Sequence, residues 1–289
     1  MRQSIFIGLG LAIGVGLVIT VMGASAGVKA AQNKVLVSLY GIGTNLTVTT
    51  LPRAGNNTFQ RIQAGPDGTK VCTNSGCHTV KGDAIDQLNA ATYGTLSAAT
   101  VAEVARLHDV AAAVGGLNLL GTHTPLPSAG SSSLPYPSIF TVYGTDLSDL
   151  RLGPVSQTRV ISGKDFTSAD ANSGVALVDS DYATANKLKT GDTIDVGGTT
   201  FKIIGIVAQP ESSIPPDVYI PLARAQALAT NVGSFKSLTG DVTTVYVTAD
   251  SASDIAAVQQ EIQRLLPAAM VTTSASLASE VTGSLASAA

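Results

Sequence analysis

The sequence predicts an α+β domain that follows a single N-terminal membrane-spanning helix. The first observation is a run of about 26 uncharged residues between Arg2 and Lys29, because roughly 20 apolar residues cross the hydrocarbon core as a helix. In the rest of the chain, short segments of alternating apolar and polar residues are interspersed with segments of three- and four-residue apolar spacing. The alternating segments predict strands and the others predict helices, so we expect one mixed domain on one side of a membrane.

The N-terminal helix is predicted to continue beyond the bilayer as a stalk. Small residues recur at four-residue spacing, as in Gly10 and Gly14, which allows another membrane helix to approach closely. The helical spacing of apolar residues continues to Leu39 and ends at Gly41, a residue type that often terminates helices. A helix over 5–40 would be about 54 Å long. Nearly half of it would then stand outside the bilayer.

A cleavable signal peptide is the alternative interpretation of the same run. Ala24-Ser25-Ala26 fits a small-residue cleavage site, and Arg2 supplies one positive charge before the apolar region. The run is longer than the roughly 7–15 apolar residues of a signal peptide, and no helix breaker separates it from the residues that follow. These features favour the transmembrane interpretation.

Composition excludes several classes of function. Only 13% of the 289 residues are charged and the net charge is −3, with no basic cluster that would bind nucleic acid. The lack of tryptophan argues against carbohydrate platforms and base-stacking surfaces. The chain contains no GxxxxGKS or GxxxxGKT sequence, so it supplies no P-loop for ATP.

The strands are predicted from alternation and from flanking turn residues. Residues 45–50 (NLTVTT) alternate apolar and polar side chains. Gly197-Gly198 between two alternating segments is a strong signal for a two-residue hairpin. The segment 51–82, which is rich in glycine and asparagine, is predicted as a loop or hairpin excursion. We predict strands at 45–50, 110–120, 139–143, 175–178, 193–196, 200–207, 218–220, 242–248 and 271–273.

The helices are predicted from apolar faces and capping residues. The first begins after Ser97 or Thr100, residue types that cap helix N-termini. Pro221 opens another, since proline favours the first helical turn. The segment 253–266 places its apolar residues on one face. We predict helices at 97–107, 181–188, 221–228, 253–266 and 274–285.

Cys72 and Cys77 are the only cysteines, and outside a membrane two nearby cysteines are predicted to form a structural disulfide. Closing so short a loop stabilises a protein by about 2 kcal/mol in the chain-entropy model. With His78 the pair also forms C-x4-C-H, which is wider than the C-x-x-C-H of haem attachment. Zinc would need two more ligands at a suitable spacing, which the sequence does not offer. We therefore favour a disulfide at a hairpin tip.

Other chemically suggestive residues are interpreted as structural. Gly23-Ala24-Ser25-Ala26-Gly27 has the G-x-S-x-G pattern of hydrolases, but it lies inside the predicted helix and not between a strand and a helix. His108 lies at the end of a helical pattern, where we expect histidine to be a surface residue or to complement the helix dipole. We predict no catalytic residue, cofactor or metal site in this chain. Four carboxylates are predicted to be solvated turn residues: Asp165, Asp170, Asp179 and Asp181.

One segment, 162–207, is more specific than these. It begins with a Gly-Lys-x-Phe-Thr-x-x-Asp turn and a Val-rich strand, and continues through a short helix and a Leu-x-x-Gly-Asp turn to a strand-Gly-strand hairpin. This order resembles the extracytoplasmic core domain of MacB/FtsX-type ABC transporter permeases. The motif residues are Gly163, Lys164, Phe166, Thr167, Asp170, Val175, Val178, Leu188, Gly191, Asp192, Ile194, Val196, Gly198, Phe201, Gly205 and Ile206.

The resemblance implies an α+β extracytoplasmic domain with a discontinuous porter-like subdomain and an inserted β-rich, sabre-like subdomain. Family members have four membrane spans, so it also implies that three spans and a cytoplasmic coupling helix are missing from this sequence. The segment that carries the two cysteines departs from the family pattern. The predicted divisions are 1–41 (transmembrane and stalk helix), 42–115 (first porter-like segment), 116–239 (inserted subdomain), 240–275 (second porter-like segment) and 276–289 (start of a helix leading to a second span).

The resemblance further implies a permease subunit that is not itself an enzyme. ATP would be bound by a separate P-loop ATPase subunit, whose motion would reach the extracytoplasmic domain through the stalk for export, lipoprotein handling or mechanotransmission. The implied partners are that ATPase, a second permease subunit in a homodimer or heterodimer, and the lipid bilayer, without nucleic acid. The implied location is the plasma membrane, with the large domain outside.

Two other classes of function stay open from the residues alone. A secreted or singly anchored binding module would have no transport role, and a mature N-terminus at Gly27 would indicate release after Ala26. An extracytoplasmic haem or redox protein would use Cys72, Cys77 and His78, and would show a Soret band or a reactive thiol pair.

Overall fold

The structure, a computed structural model, describes residues 45–50, 61–65, 68–73, 76–80, 84–90, 94–126, 136–209, 215–231 and 237–273. Contacts between Cα atoms divide the chain into units 1–43 and 44–289, and every described residue belongs to the second unit, which we call the head. The predicted transmembrane and stalk helix, and the predicted helix at 274–285, lie outside the described residues. Within the described ranges, no helix is both long enough and apolar enough to span a bilayer.

Strands and short helices alternate along the head, so the predicted α+β class is confirmed for this unit. The strands are β1 Asn45–Thr50, β2 Arg61–Gly65, β3 Gly68–Thr73, β4 Gly76–Val80, β5 Ala84–Ala90, β6 Leu96–Ser97, β7 Val110–Pro125, β8 Ser138–Thr145, β9 Arg159–Gly163, β10 Val175–Asp179, β11 Thr193–Val196, β12 Thr199–Ala208, β13 Val218–Pro221, β14 Thr230–Asn231, β15 Asp241–Val242, β16 Thr244–Ala249 and β17 Ala269–Thr273. The α-helices are α1 Ala98–Val104, α2 Ser180–Asn186, α3 Leu222–Leu228 and α4 Ile255–Leu265, and short 3-10 helices occupy Pro154–Gln157 and Ser168–Asp170.

Most strands of the head belong to one 12-stranded sheet, whose main path runs β11-β12-β10-β13-β8-β7-β16-β1-β17. The two parts of the long strand β7 pair with different strands. Up to Gly116 it pairs with β16, and beyond that residue it pairs with β8 along one edge and with β5 along the other. Strand β12 is shared in the same way, with β11 and β9 along one edge and β10 along the other. Strands β2, β3 and β4 form a separate three-stranded sheet.

Buried apolar side chains form four clusters, of which we call one the terminal core and the other three together the inserted core. Fully burying one such side chain stabilises the fold by about 1.5–3 kcal/mol. The terminal core joins β1, β15, β16 and β17 to α1 and α4, and includes Leu46, Val48, Val104, Val242, Val245, Val247, Val258 and Ile262. The inserted core joins β5, β7, β8, β10, β12 and β13 to α2 and α3, and includes Leu88, Leu117, Phe140, Tyr143, Leu177, Phe201, Ile203, Tyr219 and Ile220.

Several predicted elements are confirmed with shifted ends. The helix predicted at 97–107 ends at Val104, and Asp109 then adopts a left-handed φ of 60° immediately before β7. The helix predicted at 181–188 ends at Asn186, because Lys187 adopts a φ of 57°. The strand predicted at 242–248 is divided at Thr243, whose N–H donates to the Gly116 carbonyl at 2.9 Å.

Besides the two-residue β14, two strands of the main sheet were absent from the sequence prediction. Strand β5 buries Ala84, Ile85, Leu88 and Ala90, a spacing that is not the strict alternation of a half-buried strand. Strand β9 is an exposed edge strand with few apolar residues, so it lacks the usual pattern. In neither strand is the local pattern of apolar and polar residues strong enough to predict a strand without knowledge of its pairing partner.

The predicted subdomain boundaries stay predictions, although the sheet has features at related positions. The boundary at 115/116 falls inside β7, next to Gly116, where that strand changes partners. Strand β5 belongs to the first porter-like segment of the prediction, but its Leu88 and Ala90 pack in the inserted core.

Candidate functional site

The two cysteines lie opposite each other in the hairpin formed by β3 and β4. Cys72 and Cys77 are register partners, and they form a disulfide with their Cα atoms 3.9 Å apart. Cys77 is exposed and Cys72 is half-buried. The side chain of His78, the third residue of the alternative haem motif, lies outside the described residues. Both cysteine sulfurs are covalently paired, so this geometry fits a structural link and not a thiolate ligand pair.

We expect the two thiols to resist alkylation until the disulfide is reduced, and then to take up two alkyl groups. Reduction is expected to lower the free energy of unfolding by about 2 kcal/mol, because the short loop is no longer closed in the unfolded chain. Mass spectrometry of the alkylated chain and urea unfolding measure the two effects. A Cys72→Ser/Cys77→Ser variant is the control, since reduction should leave its stability unchanged. Alkylation of the unreduced wild-type chain would refute the pairing.

His108 is exposed and pairs with its neighbour in sequence. Its Nδ1 lies 2.7 Å from Oδ1 of Asp109. This hydrogen bond, and then the charge of Asp109, raise the pKa of His108, with smaller contributions from Glu261 and Asp250. Helix α1 ends at Val104, so of the two predicted roles the structure shows the surface residue, paired with this carboxylate and not with the end of the helix. The His108–Asp109 pair therefore lies at the surface of the head.

Replacing Asp109 with asparagine is expected to lower the pKa of His108. The folded pKa is raised above the reference value of 6.5, so the pair stabilises the fold below that value and the contribution is lost as pH rises through the folded pKa. Asparagine also tolerates the left-handed backbone at this position. An NMR titration of the His108 ring measures the change, with Asp181→Asn as a distant control. An unchanged pKa in the Asp109→Asn variant would show that the pairing is absent.

A row of Asp86, His123 and Ser138 crosses three neighbouring strands, and the sequence analysis did not find it. Asp86 and Ser138 are the register partners of His123 on β5 and β8. The His123 Nδ1 lies 2.6 Å from Asp86 Oδ1. The residue types are those of a serine hydrolase triad, but β7 is hydrogen-bonded along both edges here. Its amides are therefore used in the sheet and cannot form an oxyanion hole.

The first half of the motif in 162–207 closes β9 against β12. Gly163 has a φ of 80° and pairs with Gly205, and the next N–H, that of Lys164, donates to the Ile204 carbonyl at 2.9 Å. Phe166, the aromatic residue of the motif, is buried in the inserted core. The glycines allow the two backbones to come closer than any side chain would permit.

The threonine and aspartate of the motif form a capping box on the 3-10 helix Ser168–Asp170. Asp170 Oδ2 accepts hydrogen bonds from the Thr167 hydroxyl at 2.7 Å and from the Thr167 N–H at 2.9 Å. These bonds favour the ionised carboxylate and lower the pKa of Asp170. The role that the sequence predicted for this residue, in a turn, is what the structure shows.

The second half of the motif orders the chain from α2 to β12. Asp192 Oδ2 accepts the N–H of Lys189 at 2.8 Å and closes the Leu-x-x-Gly-Asp turn. Gly197 and Gly198 have φ values of 58° and 73° and form the predicted two-residue hairpin. The prediction that Asp179 is a solvated turn residue is wrong, since this residue is 5% exposed at the end of β10 and caps α2 by accepting the Asp181 N–H at 2.9 Å. The motif residues therefore act in turns, caps and close backbone contacts.

The described residues offer little that could bind or convert a small molecule. A groove of about 160 Å³ lies where β8 ends and α3 begins, below the roughly 300–1,000 Å³ of typical ligand sites. No group of three or more His, Cys, Asp and Glu side chains in the described part of the chain is arranged to hold a metal ion.

The chain matches a known family over most of its length. The model of the MacB-like periplasmic core domain matches residues 4–265. The chain belongs to this family. The resemblance drawn from the 162–207 motif is thereby confirmed, and the chain is a MacB-like core domain of the ABC transporter permease family.

Two solved structures are similar to this MacB-like chain, and the first of them shows the same fold. The periplasmic region of MacB from Actinobacillus actinomycetemcomitans is 12% identical, with a TM-score of 0.51, over 86% of this chain and 98% of that structure. The extracellular domain of the noncanonic ABC-type transporter YknZ from Gram-positive bacteria is 16% identical, with a TM-score of 0.46, over 79% of this chain and 100% of that structure. No curated protein shows significant similarity to the chain.

Proposed function

We propose that this chain is a permease subunit of an ABC transporter, and that its head moves when a separate ATPase subunit binds and hydrolyses ATP. The observation that carries the proposal is the extent of the family match, from residue 4 to residue 265. This range includes both the apolar N-terminal run and the head, as is expected of a subunit whose external domain is coupled to the membrane. The work would be export, lipoprotein handling or mechanotransmission.

The chemistry of the head supports a mechanical role. The motif residues that are most specific to the family are used in turns, caps and close backbone contacts. This sequence contains no P-loop, and we assign ATP binding to a separate subunit. A second permease subunit, identical or different, would complete the transporter in the plasma membrane with the head outside. No cofactor is required by this chain itself.

Co-purification tests the proposal. The full-length gene product is tagged, extracted from membranes in detergent and analysed for a P-loop ATPase that accompanies it. We expect a stable complex with ATPase activity, and loss of that activity when the P-loop lysine of the ATPase subunit is replaced.

The same preparation distinguishes the alternative of a secreted or singly anchored binding module. A mature product that begins at Gly27, is released from the membrane and carries no ATPase would overturn the transporter proposal. A full-length product that stays in the membrane with its ATPase would exclude the released module.

A further inference from the structure

The terminal core and the inserted core share β7, and the glycines of that strand lie where its partners change. A Cβ on Gly116 would overlap the hydroxyl of Tyr143 from the inserted core. A Cβ on Gly115 would lie 2.7 Å from Cγ1 of Val242 from the terminal core. Side chains of both cores therefore rest directly on the backbone of this one segment, so neither can shift along β7 without a collision.

Thr243 fixes the same segment by hydrogen bonds. Its N–H donates to the Gly116 carbonyl at 2.9 Å, and its hydroxyl oxygen accepts the Asn118 N–H at 2.8 Å. The side chain is 1% exposed, so these bonds are shielded from water. Breaking them would leave buried polar groups unpaired, at a cost of about 1–3 kcal/mol for each group.

Alternate side chains of β16 pack in different cores, one face of the strand in each. Val245 and Val247 are buried in the terminal core, whereas Tyr246 between them packs against the inserted core. The Tyr246 ring meets the Tyr143 ring edge-on, with 6.4 Å between the centroids. Side chains alternate along a strand, so the two valines and Tyr246 lie on opposite faces of β16 and must move together. A rotation of the terminal core about β7 would therefore push the Tyr246 ring into its close-packed neighbours.

Helix α3 adds a third link between the cores. Leu222 at its start packs against both the terminal core and the inserted core, whereas Leu228 at its end packs against the inserted core alone. The Gln226 side-chain N–H donates to the Asp241 carbonyl at 2.7 Å, which ties the helix to β15. The two cores are therefore joined on three elements, β7, β16 and α3.

We infer that this joint is fixed, so that the head moves as one rigid body and passes motion from the terminal core to the inserted core without bending between them. The inference deepens the proposed function, because it states how the head would respond to a moving stalk. A hinge needs a few residues that can change their backbone angles freely. Here the connecting segment is a strand that is hydrogen-bonded to its neighbours. Side chains of both cores occupy the space next to its glycines.

Spin labels on the two cores test the inference in the full-length chain. Ala185→Cys on α2 and Ala256→Cys on α4 are exposed sites on the inserted and terminal sides. Labelling without reductant leaves the native disulfide closed. We expect one narrow distance distribution, which stays the same in every nucleotide state when the ATPase is present.

A pair of matched variants separates the joint from the general packing of α3. Leu222→Ala combined with Gln226→Ala is expected to broaden the distance distribution roughly twofold, because both links of α3 to the terminal core are removed. Leu228→Ala alone shortens the same residue type on the same helix while both links to the terminal core stay in place, and it should leave the width unchanged. Two separate distances in the wild type, or equal broadening by both variants, would overturn the inference. A rigid head without any co-purifying ATPase would instead refute only the proposed transporter function.

Discussion

Replacing Gly163 with alanine is expected to lower the free energy of unfolding by about 4 kcal/mol, from backbone strain and steric overlap together. The φ of 80° is unfavourable for any residue with a Cβ. The new Cβ would also overlap the Ile204 carbonyl oxygen, and would lie 2.7 Å from Thr190 Cγ2. The carbonyl cannot move freely because it accepts the Lys164 N–H. Urea unfolding of the purified chain measures the change.

Gly191 provides the matched control for this prediction. Its φ is 99°, but a Cβ there would meet no atom within 4 Å. Gly191→Ala should therefore cost only the backbone strain, about 1–2 kcal/mol. Equal losses in the two variants would show that the contact between β9 and β12 is looser than described, and that the motif glycine is needed for its backbone angle alone.

Replacing Gly116 with alanine is expected to destabilise the head by about 2–3 kcal/mol, because the added methyl overpacks the joint. Its Cβ would overlap the Tyr143 hydroxyl, and would lie 2.6 Å from Cζ of the same ring. Tyr143 is 1% exposed and its ring is packed edge-on against Tyr219 and Tyr246. The ring therefore has little room to move away.

Tyr143→Phe is the compensating variant. Burial, and then the neighbouring Tyr246, raise the pKa of Tyr143 well above the usual range, and the buried hydroxyl makes no hydrogen bond of good geometry among the described residues. Removing it is expected to raise stability by about 1 kcal/mol, since an unsatisfied buried group is lost. In the Tyr143→Phe background, Gly116→Ala should cost less than in the wild type. Simple additivity of the two changes in a double-mutant cycle would contradict the direct contact.

The local features of the fold could be predicted because they depend on neighbouring residues. Gly197-Gly198 specifies its hairpin from backbone geometry alone, and Ser97 caps α1 through the Thr100 N–H at 3.4 Å. The motif in 162–207 depends on turns whose residues are close in sequence. These elements appear in the structure at the predicted positions.

The features that depend on distant pairing could not be predicted. The Asp86–His123 contact joins residues 37 positions apart, on a strand that has no clear alternation. The exchange of partners along β7 at Gly116 depends on β16, more than 120 residues later in the chain. The two roles of Leu222, which contacts both cores, follow from the packing of the whole head and from no local pattern.

In the proposed transporter, ATP use by a separate subunit moves the head. The most direct measurement places a fluorophore at Ala256→Cys in the complete transporter, reconstituted in nanodiscs that contain acceptor-labelled lipid. Energy transfer then reports the distance from the head to the membrane in the nucleotide-free, ATP-trapped and ADP states.

We expect the transfer efficiency to change between the nucleotide-free and ATP-trapped states, and the change to disappear when the P-loop lysine of the ATPase is replaced. A transfer efficiency that is identical in all nucleotide states of an intact, ATP-hydrolysing complex would contradict the account.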